Sequence, residues 1–198
     1  MKQETAGEIE ISGAAAPDEL TTLLEWADEL RSNKVQVWAN ADTGEEAAEA
    51  RSARAAGIGL CRTEHMFLGD RLPVIRQLLK AVGPDKRKTA LQELQKAQQT
   101  DFEHVLAPMD GLPVTVRLLD APLHEFLEET EEQNPMLGLR GIRLAIVTED
   151  LYRTQTRALL AAVQERISQG GDPKVEIMVP LVSLEEELVL AVEWIKEE

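Results

Sequence analysis

Short apolar runs alternate along this chain with longer segments whose apolar positions recur every three or four residues. The first such segment is helical. Pro17 opens it, and Leu20, Leu23, Leu24, Ala27 and Leu30 form a stripe that runs to about Arg31. Before it, Glu8-Ile9-Glu10-Ile11 alternates like a strand remnant, and Ser12-Gly13-Ala14-Ala15-Ala16 reads as a linker, which sets residues 1–16 apart from a domain over 17–198. Val35–Asn40 reads as the first strand of that domain. Thr43 followed by Glu46 is a capping box for a helix over about 44–56, with Gly57 as its stop. Gly57-Ile58-Gly59-Leu60-Cys61 is a second strand, apolar enough to be buried on both faces.

Two helices follow, over about 72–82 and 85–107, divided by Gly83-Pro84. Pro113–Asp120 is a third strand, and 121–134 an acidic helical excursion. Asn134–Gly141 is irregular and is expected to hold a short fourth strand. A helix over about 149–169 stops at Gly170-Gly171, Val175–Val182 is a fifth strand, and Ser183 with Glu186 caps the last helix. Strands alternating with helices predict an α/β fold with a mostly parallel sheet of about five strands and helical crossovers.

Composition narrows the class. No apolar stretch reaches the ~18–20 residues that span a bilayer, and the start of the chain has no signal-peptide pattern. One cysteine rules out an internal disulfide framework and suits a reducing, cytoplasmic setting. With 36 acids against 21 bases, the net charge of −15 argues against nucleic acid or an anionic membrane as partner. An anionic ligand must then be held by a few local arginines.

Such arginines stand at strand ends. Arg62 closes the second strand and Arg117 lies near the end of the third, where parallel α/β proteins place their ligand sites. Two guanidinium forks converging there would match a phosphate and a carboxylate. The alternative is structural pairing, of Arg117 with Asp120 and of Arg62 with a nearby acid. Arg140, in the Gly-rich turn after Pro135, is a third candidate, whereas Arg143 fits the surface or cap of the next helix. Asn40 and Asp42 share a predicted face beyond the first strand. Asn40 suits a supporting role, and Asp42 fits the turn before the Thr43 cap better than a ligand role. Glu64 is placed to orient Arg62 by a salt bridge. His65 reads as a hydrogen-bonded structural residue, since no nucleophile stands beside it. Cys61, inside an apolar run, reads as an inert buried thiol. His104 and His124 lack metal-ligand spacing, no metal site is readable, and the Glu125–Glu132 tract reads as a solvated helix face.

Specific motifs then carry a resemblance over nearly the whole chain. Ala39-Asn40-Ala41-Asp42-Thr43, Gly57-Ile58-Gly59-Leu60-Cys61-Arg62-Thr63-Glu64-His65-Met66-Phe67, Val114–Asp120, Pro122–Phe126, Asn134–Gly141 and Glu176–Val182 occur in the order found in the pyruvate, phosphate dikinase family of phosphoenolpyruvate (PEP)-utilising enzymes. PEP synthases and phosphotransferase-system Enzyme I share the Arg-Thr-Glu core, while Cys61 and His65-Met66-Phe67 favour the dikinase branch. The resemblance implies the first part of a TIM-type (β/α)8 barrel that binds PEP and pyruvate, preceded at 1–16 by the tail of a phosphohistidine domain. It implies substrate-binding roles for Arg62, Arg117 and Arg140, with Asn40, Glu64 and Asp120 in support. It also implies Mg²⁺ in the full-length family, whose metal ligands, proton-donating cysteine, phosphohistidine and ATP domains have no counterpart here. The expectation is a domain that binds PEP or pyruvate without turning it over alone. The alternative is a free-standing PEP-binding or protein-interaction module. An incomplete barrel would leave strand edges and an apolar face open, so self-association or a covering partner, including one that completes the enzyme in trans, is expected.

Overall fold

The computed structural model describes residues 18–31, 35–127, 134, 136–148 and 150–198. The expected strand at 8–11, the linker after it and the acidic tract over 128–133 lie outside these. The chain divides into two units, Met1–Gln36 and Val37–Glu198, each described by itself. In the first, helix α1 (Asp18–Leu30) is the described element, and it buries none of its residues.

In the second unit, β1 (Ala39–Asn40), β2 (Ile58–Arg62), β3 (Pro113–Arg117) and β4 (Lys174–Met178) form one sheet in sequence order with every pair parallel. Between them run α2 (Gly44–Ser52), α3 (Leu72–Leu79), α4 (Pro84–Leu106), α5 (Leu123–Phe126), α6 (Gly141–Val147) and α7 (Asp150–Ser168), and α8 (Glu185–Glu197) follows β4. This is the parallel α/β architecture expected of an incomplete barrel.

The helices cover one face of the sheet. Val114 and Val116 of β3 are fully buried against a core that includes Ala47, Phe102, Leu106 and Leu159, while Thr115 and Arg117 face the other way. β2 has the same sidedness, with Ile58 and Cys61 inward and a register shift between them. It is therefore not buried on both faces. The uncovered face carries Thr115 Oγ1 donating to Glu176 Oε2 at 2.9 Å. Gly57 allows β2 to lie close to β3, since a Cβ there would stand 2.7 Å from the Pro113 carbonyl.

Five strands were expected and four are present among the described residues. The 136–141 stretch is a turn leading into α6, because its carbonyls at Leu137 and Gly138 are taken by Arg143 Nη1 (2.7 and 3.2 Å) rather than by a neighbouring strand. α2 stops at Ser52, and the left-handed residue after it is Arg54 (φ 64°), so Gly57 is not its terminator. At α8 the expected Ser183–Glu186 box is replaced by Glu187, whose Oε2 accepts from Ser183 N (2.7 Å) and Leu184 N (3.0 Å). The Thr43 cap is present, with Oγ1 accepting from Glu46 N at 3.2 Å.

Candidate functional site

Arg62 and Arg117 are directly opposite in the β2–β3 ladder, the last residues of both strands. Opposed residues in a parallel ladder project from the same face about 5 Å apart. Arg117 is in turn opposite Met178 of β4. Two guanidiniums thus stand side by side on the uncovered face, at the C-terminal end of the sheet.

Each is held by an acid from a neighbouring loop, and the pairing differs from the one expected. Arg62 does not pair with Glu64. Its backbone N donates to Asp42 Oδ1 at 2.6 Å, and its Nε and Nη2 lie 3.0 and 2.8 Å from Asp42 Oδ2. His65 Nδ1 shares that same oxygen at 2.7 Å. Asp42 is therefore a partner of the site and more than a turn residue. Its placement follows from the cap it precedes, since Asp42 N donates to Glu46 Oε2 at 2.7 Å. Asn40 is exposed at the end of β1 and makes no side-chain hydrogen bond among the described residues.

Glu64 pairs instead with Arg117 Nη2, while Arg117 Nη1 lies 3.6 Å from Asp120 Oδ2. Asp120 Oδ1 accepts from Arg140 Nε at 2.9 Å, and the Asp120 carbonyl accepts from Arg140 Nη2 at 2.9 Å. Three arginines and three carboxylates thus run across the strand ends as an alternating set of charges. The acids are buried, with side-chain exposures of 5% for Asp42, 9% for Glu64 and 4% for Asp120. Arg62 is the most open cation at 35%, against 21% for Arg117 and 12% for Arg140. Among the described residues, Arg117 Nε is buried without a partner, as is Glu64 Oε2, so this pair has unspent bonding capacity.

The loops bearing these groups are tied together by a residue that the sequence reading passed over. Gln155, buried on α7, accepts from Leu119 N at 3.0 Å and donates to Thr63 Oγ1 at 3.1 Å, so it clamps the segment after β3 to the one after β2. Tyr152 adds a bond from its hydroxyl to the Leu119 carbonyl at 3.1 Å. These contacts hold Leu119, the residue before Asp120, against α7 through both its N–H and its carbonyl. The available signal was a glutamine on a helix face otherwise built of Leu151, Tyr152, Ala158 and Leu159. Gln155→Leu is expected to cost about 2 kcal/mol, because it leaves a buried N–H and a buried hydroxyl unpaired. Urea denaturation of the two proteins measures this.

The sequence matches the family described as PEP-utilising enzyme, PEP-binding domain, over residues 17–198. The chain belongs to that family. It is 43% identical to the chloroplastic pyruvate, phosphate dikinase of Mesembryanthemum crystallinum over 92% of this chain and 22% of that protein. It is 44% identical to pyruvate, phosphate dikinase 1 of Arabidopsis thaliana over 88% of this chain and 21% of the relative. Pyruvate, phosphate dikinase 2 of Oryza sativa is 40% identical over 96% of this chain and 25% of its own length. The chain thus spans between a fifth and a quarter of these relatives.

Within this PEP-binding domain the electrostatics follow from the pairings. Burial raises the Asp42 pKa, but bonds from the Arg62 backbone and side chain, with the charges of Arg62 and His65, outweigh it and hold the carboxyl below its ordinary value. A depressed native pKa gives stability that is present above the unfolded carboxylate pKa and lost as pH falls through the native one. Asp42→Asn should therefore flatten the acid limb of the stability curve below about pH 4 and leave its neutral slope unchanged. Thermal unfolding of both proteins across that range tests it.

Cys61 is fully buried, and burial, reinforced by the negative charges of Asp42 and Glu64, pushes its thiol up to about 12. A cleft of about 190 Å³ brings His65 and His104 to one place with Asp42 and Asp101. Among the described residues no group of three or more His, Cys, Asp or Glu side chains could hold a metal ion. The three site carboxylates are each engaged with a guanidinium, so they do not fit the Mg²⁺ that the resemblance implies. No helix among the described residues is long and apolar enough to cross a membrane.

Proposed function

We propose that this domain binds PEP and pyruvate through Arg62 and Arg117, as part of a pyruvate, phosphate dikinase-like phosphotransferase. The observation that carries the reading is the in-register pairing of the two arginines at the C-terminal ends of β2 and β3. Two adjacent forks can take the phosphoryl group and the carboxylate of one small anion, each by paired N–H···O bonds. Family membership supplies the substrate class. Arg140 borders the site from the loop before α6 and acts on it through Asp120.

The same reading makes the domain a binder that does not turn PEP over by itself, since each acid at the site serves to hold an arginine. A cytoplasmic, reducing setting belongs to it, as does a partner or second copy covering the open sheet face. Among the described residues the sheet has two unpaired edge strands, β1 and β4, and Met178, Leu181 and Leu184 are exposed near one of them. Calorimetric titration of the chain with PEP, with and without Mg²⁺, tests the reading. One saturable site whose affinity is independent of Mg²⁺ is expected. No heat from a chain that is folded by circular dichroism would refute it.

A further inference from the structure

We propose that Asp42 is the positioning residue of this site: its carboxylate, shared with His65, fixes the Arg62 guanidinium in the orientation that meets an oxyanion. The proposal rests on the reading of Arg62 as an anion ligand. It adds a residue that neither the motifs nor the family match assigns a role.

Asp42 owes its own position to elements other than Arg62. Its backbone N–H is bound by Glu46 in the first turn of α2, and Thr43 next to it caps that helix. From this fixed point the carboxylate receives the Arg62 backbone N–H and the Nε and Nη2 donors, which form one edge of the guanidinium plane. Binding that edge stops rotation about the last side-chain bonds and leaves Nη1 without a protein partner among the described residues. An ionised carboxylate only accepts, so the bond to His65 requires a proton on Nδ1. A guanidinium that is one-third exposed could have been left to water. A buried, three-way anchored acid beneath it instead fixes its geometry, which is what preorganised ligand recognition needs.

Four variants and one spectrum decide the matter. Asp42→Asn keeps an oxygen for the Arg62 N–H and should weaken PEP binding about tenfold. In an Arg62→Lys background the same replacement should change affinity less than about twofold, because an ammonium has no plane to orient. Equal losses in both backgrounds would mean a merely structural role and overturn the proposal, as would no loss in the wild-type background. Asp42→Glu retains the charge but displaces it by one methylene. It should also bind more weakly, and wild-type affinity would show that charge alone suffices. Relaxation of the Arg62 Nε–H by ¹⁵N NMR needs no ligand, so it separates this proposal from the PEP reading. A bond that is rigid in the wild type and mobile in Asp42→Asn supports positioning even if PEP does not bind, and equal rigidity in both proteins refutes it.

Discussion

Asp120→Ala is expected to destabilise the domain by about 3 kcal/mol, with a parallel loss of cooperativity around the strand ends. Asp120 is almost fully buried and, among the three acids of the site, is the one that faces two arginines, Arg140 at 2.9 Å and Arg117 at 3.6 Å. Truncation leaves Arg140, itself mostly buried, with the Asp120 main-chain carbonyl as its remaining strong acceptor. A buried cation without a counter-charge costs more than the pair contributed. Asp120→Asn separates charge from shape. It preserves volume and an acceptor oxygen, so about half of the loss should remain. Gly141 makes the site unforgiving, because it sits at φ 56° and a Cβ there would stand 3.1 Å from Asp120 Oδ1. Chemical denaturation followed by circular dichroism gives both values, and equal stability of Asp120→Ala and wild type would remove Asp120 from the account.

Arg62→Ala should do the reverse. PEP affinity should fall about a hundredfold, because a bidentate charge-assisted contact is lost, while stability drops by roughly 1 kcal/mol or less. The stability effect is small because Arg62 is the most exposed of the three arginines and Asp42 keeps the Arg62 backbone N–H and His65. Arg62→Lys should fall between, about tenfold weaker, since a point charge replaces a fork. Calorimetric titration of the three proteins reads the order directly. An Arg62→Ala chain that binds as well as wild type would move the ligand away from β2.

The contrast between these two residues shows what the sequence revealed and what it hid. Strand ends bearing Arg62 and Arg117 were legible, because short apolar runs followed by a charged burst mark where a parallel strand leaves the sheet. The Thr43–Glu46 cap was legible for a similar reason, since both partners sit within one helical turn. Partner choice was not. Glu64 follows Arg62 by two residues, yet it bonds Arg117 across the ladder, and Asp42, twenty residues before Arg62, takes its place. Such pairings depend on which strands are neighbours and where their loops turn, which no local pattern encodes. Gln155 was hidden in the same way, because its two bonds reach 36 and 92 residues along the chain. The missing fourth strand has a local cause. Asn134–Gly141 has apolar residues with glycines between, but its Leu137 and Gly138 carbonyls are taken by Arg143 on the helix that follows.

The most direct test is the structure of this chain with PEP bound. The account predicts oxygens of one PEP molecule within hydrogen-bonding distance of both Arg62 and Arg117, with Asp42 still holding the Nε edge of Arg62. PEP seated elsewhere, with both arginines bonded only to Asp42, Glu64 and Asp120, would contradict it and leave the alternating charges a purely structural device.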